Sequence, residues 1–215
     1  MSPRKPAVLR DAGGDQTLRE HMIASAARLV AERGTAGLTV RDMAAAAGLA
    51  GGVLYNHFAD KEELIALALR AHVDAVLNAP AGLPEPGTGT LADNLKAHIE
   101  YGLATLNRIL PAFAGVFGQP KVFARFHELG GHGTLGGSGL PVSFAAYIRA
   151  EQELGRVRPD VDPAATASLV VGACHDVTLP RLFHGTPAEE ITIPPGFVDG
   201  LVNTILHGIA PPQSA

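Results

Sequence analysis

Apolar residues recur at helical spacing along most of this chain, and glycine, proline and capping residues mark the breaks between the runs. After Thr17 the positions Ile23, Ala26, Ala27 and Val30 fall on one face, until Gly34 closes the run as a C-terminal glycine cap. Thr39-Val40-Arg41-Asp42 has the form of a capping box, in which the threonine hydroxyl serves an amide of the first turn and the aspartate reaches back. A second helix therefore starts at Val40 and stops at Gly48. A third, short helix is predicted from about Ala50 to His57, with Leu49, Val53 and Leu54 as its apolar anchors. Asp60-Lys61-Glu62-Glu63 is a second capping box, and the stripe Leu64, Leu67, Ala68, Ala71 and Ala75 predicts a long fourth helix to about Asn78.

Pro80 to Gly89 reads as a loop, after which Leu91, Leu95, Ile99, Leu103 and Leu106 keep helical spacing up to Pro111. Gly130 to Gly139 holds too much glycine for a helix, and Pro141 opens the next one, which carries Phe144, Tyr147, Ile148 and Leu154 and ends at Gly155. Asp162-Pro163 joins an N-cap to a first-turn proline and launches a helix to about Phe183; the last runs from about Phe197 to Ile209 through Leu201 and Ile205. No strand pattern competes. The expectation is an all-α protein of roughly nine or ten helices, a small N-terminal bundle followed by a larger C-terminal one.

Composition narrows what such a protein does. With 47% hydrophobic and 18% charged residues among 215, the chain has material for a substantial core, and a net charge of -4 argues against indiscriminate binding of nucleic acid. Any contact with DNA must be local. The one cysteine, Cys174, makes no intrachain disulfide, and no apolar signal segment follows Met1, so a reducing cytoplasm is expected. The longest apolar stretch, Met43 to Tyr55, is too short and too glycine-rich to span a bilayer, and no membrane role is expected. Residues 1–16 mix proline, glycine and charge without periodicity and read as a mobile arm, in which Arg4, Lys5 and Arg10 either follow a minor groove or belong to a disordered tail that makes no DNA contact.

The first three helices, with Gly48-Leu49-Ala50 turning between the second and third, have the connection of a helix-turn-helix. Leu38-Thr39-Val40-Arg41-Asp42-Met43-Ala44, Ala47-Gly48-Leu49, Leu54-Tyr55-Asn56-His57-Phe58 and Lys61-Glu62-Glu63-Leu64 resemble the signature of the TetR family over about residues 17 to 64. The resemblance implies a DNA-binding domain over residues 17–60 and an effector-binding and dimerisation domain over 61–215. Thr39 and Val40 at a helix N-terminus favour a phosphate, and Arg41 is placed to reach a base edge or a neighbouring phosphate. Ala50, Gly51, Gly52 and Val53 are small enough for close approach in a major groove, where a Val53 methyl is placed to meet a thymine methyl. Tyr55 and His57 resemble the family's phosphate-binding pair, Asn56 offers an amide to a base or phosphate, and Lys61 matches the family's phosphate-holding lysine. Many members carry Ser or Thr where this chain has Ala50 and a polar residue where it has Gly51.

Phe113, Phe117, Phe123, Phe126, Phe144 and Tyr147 together imply an apolar cavity. The resemblance sets it among the C-terminal helices, with Tyr101, Phe117, Phe126, Tyr147 and Cys174 as candidate lining. It also implies a homodimer, here through the helices from Pro163 and Phe197, where Ala164, Ala167, Gly172 and Ala173 permit close approach and Val171, Leu201 and Ile205 supply apolar contacts. The function implied is a ligand-responsive regulator, released from a palindromic double-stranded operator by a small, largely apolar effector. The alternative is a ligand-binding protein of the same fold with little specific DNA binding. His127-Glu128-Leu129-Gly130-Gly131-His132 has one residue too many for a zinc H-E-x-x-H, and Gly131-x-Gly133-x-x-Gly136 lacks the preceding strand of a dinucleotide site. Cys174-His175-Asp176 are consecutive and diverge on a helix. No catalytic residue, metal site or cofactor is expected.

Overall fold

The Thr17 hydroxyl accepts the Glu20 N–H while the Glu20 carboxylate accepts the Thr17 N–H at 2.8 Å, so α1 (Leu18–Arg33) opens on a complete capping box. It closes at Gly34, where φ is +70° and an added Cβ would lie 2.9 Å from the Ala114 Cβ; conformation and close approach both require glycine. α2 (Val40–Ala46) starts on the predicted reciprocal pair, Thr39 with Asp42. Asp60 caps α3 (Lys61–Leu77) by accepting the Glu63 N–H at 2.9 Å. The Glu63 carboxylate instead accepts the Ala59 N–H, so the predicted second box closes one residue early.

The computed structural model describes residues 17–131, 139–180 and 193–209, and among them the regular structure is all helical. α4 (Leu91–Ile109) is followed by two 3₁₀ turns, Leu110–Phe113 and Val116–Gly118, then α5 (Pro120–Phe126) and a wide turn at His127–Gly131. α6 (Leu140–Glu153), α7 (Pro163–Thr178) and α8 (Phe197–His207) complete it. α7 opens as expected, with Asp162 Oδ1 accepting the Ala164 and Ala165 N–H groups. It ends at Thr178 with Leu179 as its C-cap, short of the expected end near Phe183; residues 181–183, the arm with Arg4, Lys5 and Arg10, and His132 with Gly133 and Gly136 lie outside the described residues.

These helices form two compact units. The first holds residues 17–78 and 108–131 and the second 79–107, 139–180 and 193–209. In the first, α3 packs against α1 and also against α5, so it buries two faces. Ile65, Leu69, Val73 and Val76 therefore join Leu64 and Ala68 in the core, while Ala75 of the predicted stripe is exposed. α1 likewise buries Met22, Ser25, Ala26, Leu29 and Val30, leaving Ile23 and Ala27 half-buried at the edge. In the second unit α6 packs on α7, burying Phe144, Tyr147 and Ile148 with Ala167, Val170 and Cys174.

Candidate functional site

Gly48, at φ +68°, turns the chain between α2 and the element expected to be a third α-helix. That element is a 3₁₀ helix over Gly51–Asn56, held by i to i+3 bonds such as Val53 N–H to Ala50 O at 3.0 Å and His57 N–H to Leu54 O at 3.0 Å. The physical reason lies in the sequence: two successive glycines disfavour an α-helix, and Ala50 offers no side-chain cap. Leu54, fully buried, anchors the turn against the core.

A frame of long-range polar contacts holds this corner. His21 Nε2–H donates to the Ala47 carbonyl at 3.0 Å, at the end of α2. Arg19 pairs with Glu63 at 2.8 Å and lies 4.8 Å above the centre of the buried Phe58 ring. Arg125 of α5 grips both oxygens of Asp60, with Nη2 donating to Oδ2 at 2.9 Å. Although burial opposes it, the Arg125 guanidinium and the Glu63 N–H hold the Asp60 carboxyl below its ordinary range. The first turn of α3 is thus tied to a segment 65 residues on. The Ala114 carbonyl accepts from the Thr35 and Ala36 N–H groups and the Thr35 hydroxyl, which fixes the α1–α2 connection in the same way. Arg19, His21, Thr35 and Arg125 carry no local sequence signal, because their partners are distant in the chain.

The residues expected to meet DNA stand at the surface of this unit. Thr39 and Arg41 are exposed at the start of α2, Val40 is half-buried, and the Thr39 hydroxyl is committed to Asp42. Ala50, Gly52, Tyr55 and Asn56 are exposed along the 3₁₀ turn, Tyr55 by 61%, while Gly51, Val53 and His57 are half-buried. Lys61, the first residue of α3, keeps its ammonium 4.0 Å from Glu62, a loose pair.

The candidate effector residues separate. Phe126 is buried in the first unit, edge-on to Phe113 at 5.3 Å, and Phe117 is 64% exposed there; neither is in the wall of the cavity formed by Tyr101 and Cys174. The reason is that residues 108–131 fold with the helix-turn-helix. Tyr101 and Cys174 do line a cavity, about 20 Å³ in volume, between α4, α6 and α7, with His98, Gly102, Leu106 and Phe144 among its other walls. Tyr147 lies behind it, its hydroxyl donating to Glu151 Oε1 at 2.6 Å and its ring 4.2 Å from that of His98. Glu151 is fully buried; Oε1 also accepts the Gly87 N–H, and Oε2 lies 3.2 Å from Arg156 Nε. Burial pushes the Cys174 thiol up to about 11 and the Tyr147 phenol, aided by its bond to Glu151, up to about 12. His98 is pushed down to about 4 by burial, against the pull of Glu151. His98, Gly102 and Glu151 are absent from the sequence-level candidates. Cys174 and its neighbours diverge as expected, the cysteine buried, His175 Nδ1 bonded to the Val171 carbonyl at 2.9 Å and Asp176 exposed.

Two short helical elements joined at a glycine corner and braced by α1 define a helix-turn-helix. Residues 22–68 match the family described as "Bacterial regulatory proteins, tetR family". The HTH-type transcriptional repressor KstR2 of Mycobacterium tuberculosis is 45% identical over 65 residues, 30% of this chain and 32% of the repressor, so the similarity spans about a third of that relative. A TetR family transcriptional regulator from Pseudomonas syringae superposes with a TM-score of 0.60 at 24% identity, over 89% of this chain and 96% of that one. The transcriptional regulator FadR from Bacillus subtilis, in complex with stearoyl-CoA, gives 0.54 at 14% identity, over 88% and 98%. The chain shares the fold of these regulators over most of its length. No helix among them is long and apolar enough to cross a membrane.

Proposed function

We propose that the protein is a ligand-responsive transcriptional repressor that binds a palindromic operator as a homodimer and leaves it when a small molecule enters the second unit. The observation that carries this reading is the exposed Arg41, Tyr55 and Asn56 with the half-buried Lys61 on a braced helix-turn-helix that matches the tetR family. Arg41 and the N-terminus of α2 serve the phosphate backbone, Tyr55, His57 and Lys61 grip it on the other side, and the small Ala50–Val53 stretch enters the major groove. α7 supports the dimer. It turns Ala167, Val170 and Cys174 inward and leaves Ala164, Leu169 and Gly172 exposed, Leu169 by 73%. That is the small and apolar face a close helix pairing needs.

The FadR complex with stearoyl-CoA, an apolar acyl chain joined to a charged coenzyme, is a precedent for a small-molecule complex on this fold. The test is a mobility shift with promoter DNA flanking the protein's own gene, titrated with salt. Specific retention that weakens steeply with salt is expected, and Lys61→Ala reduces the slope of log affinity against log salt by about 1. Equal retention of unrelated DNA at every salt concentration defeats the reading. Leu169→Glu is expected to leave a monomer in light scattering and to abolish tight operator binding.

A further inference from the structure

We propose that the cavity between α4, α6 and α7 receives an uncharged hydrogen-bonding oxygen, a hydroxyl or carbonyl, of an otherwise apolar ligand, with His98 Nε2 as its partner and Gly102 keeping its place open. This rests on reading the second unit as the effector-binding part. The His98 Nε2 atom is buried and has no hydrogen-bond partner among the described residues. Its ring is fixed by Tyr147 at 4.2 Å and by Phe144, edge-on at 5.4 Å, and it forms part of the cavity wall. A buried polar atom held in one orientation is a site for a complementary polar group.

The charge of that group follows from the walls, which include no Lys, Arg, Asp or Glu. A carboxylate or phosphate would lose its hydration there without a counter-charge, and an ammonium would find only Glu151, which is outside the wall and already paired with Arg156, whereas a hydroxyl or carbonyl needs only one hydrogen bond. The imidazole is kept neutral by burial, so it offers a donor or an acceptor and no charge. Ser143, also in the wall, already donates to the Leu140 carbonyl. At about 20 Å³ the cavity admits one heavy atom with its hydrogens, the size of an alcohol or ketone oxygen.

Gly102 supplies a second, independent observation. It lies inside α4, is buried, and borders the cavity, yet an added Cβ would meet only Cys174 Sγ, at an ordinary 3.8 Å. Alanine therefore fits and favours the helix more. Neither the backbone nor the packing calls for glycine at this position; what glycine provides is volume beside His98.

The experiment uses the full chain, labelled with ¹⁵N-histidine, and four six-carbon probes: 1-hexanol, 2-hexanone, hexanoate and hexylammonium. Binding is read from the His98 Nε2 chemical shift and from thermal stabilisation. The alcohol and ketone are expected to shift Nε2 and to bind at least tenfold more tightly than the two ions. Gly102→Ala is expected to melt at or above the wild-type temperature and to weaken alcohol binding at least tenfold; His98→Gln keeps part of it and His98→Phe loses it. Equal binding of hexanoate, or undiminished binding by Gly102→Ala, overturns the proposal, and the glycine variant decides if a His98 variant does not fold. DNA release is measured separately. Probes that bind as expected without releasing promoter DNA uphold this site and defeat the regulatory reading. Salt-sensitive operator binding with no binding by any of the four probes does the reverse.

Discussion

In the first unit most polar side chains with structural roles stand at helix ends near the surface, where Thr17, Thr39 and Asp60 cap and Arg19, Glu63 and Arg125 brace, and the buried Thr35 hydroxyl is satisfied by the Ala114 carbonyl within a largely apolar interior. The second unit has such ends too, but it also carries Tyr147, Glu151 and the imidazole of His98 into its interior and leaves a small cavity beside them. A capped apolar bundle has one arrangement it strongly prefers. Interior polar groups, by contrast, raise the cost of any arrangement that leaves them unpaired, and so make packing responsive to a ligand or a proton. On the proposed reading, the first unit presents a surface and the second registers what enters it.

Deleting one key side chain in each unit probes that contrast most strongly. Phe126→Ala in the first removes a fully buried ring that packs edge-on against Phe113, and is expected to cost about 3–5 kcal/mol through lost burial and the cavity left behind. Glu151→Ala in the second removes the acceptor of the Tyr147 hydroxyl and the Gly87 N–H and the partner of Arg156. Its expected cost is about 3 kcal/mol, the lower part of the range for breaking a buried pair, because Arg156 is 25% exposed and turns to water. Urea unfolding followed by circular dichroism measures both. A Glu151→Ala protein as stable as wild type would mean that the interior polar cluster constrains nothing.

Acid sharpens the same comparison without mutation. The imidazole of His98 titrates near 6.5 in an unfolded chain and near 4 in the folded one, so between these values the unfolded chain holds the extra proton. The contribution is whole above pH 6.5 and is lost as pH falls towards 4; because the ring is only part-buried, solvent screening reduces it to about 1–2 kcal/mol. His98→Phe is expected to flatten this part of the stability profile. If wild type and His98→Phe fall in parallel from pH 6.5 to 4, the imidazole is not held neutral by burial.

The difference between the units also decides what was legible in the sequence. Caps act over three or four residues, so Thr39 with Asp42, and Asp162 before Pro163, mark helix starts where the structure has them. The helix-turn-helix was readable for that reason, down to the glycine corner at Gly48. Bracing by Arg125 or Thr35 acts over 65 to 84 residues and leaves no local trace. Apolar spacing reports that a side chain such as Phe126 is buried, not in which unit, and it does not foresee that Phe117 stays at the surface; the return of residues 108–131 to the first unit is a tertiary choice. Two signals at the cavity were present in the sequence. Tyr147 and Glu151 share a helical face at i, i+4, and Gly102 interrupts an otherwise good helix.

The smallest effect falls on the 3₁₀ turn Gly51–Asn56, where local propensity yields to the surface that must be presented. An added Cβ at Gly52 meets no atom within 4 Å, so Gly52→Ala restrains the unfolded chain without a clash and is expected to stabilise by about 0.5–1 kcal/mol. Ala50→Ser restores a side chain able to cap the turn, with a gain of about 1 kcal/mol. On DNA the two should part. A serine at position 50 adds a hydroxyl at the turn's N-terminus and is expected to hold or raise operator affinity. The alanine at 52 adds bulk where the backbone approaches the groove and is expected to lower it, with the salt slope unchanged because no phosphate contact is altered. Melting curves and salt-titrated mobility shifts on the same samples separate the two quantities. A Gly52→Ala protein that is more stable and binds the operator as tightly as wild type would show that the glycine pair is not kept for close approach to the groove.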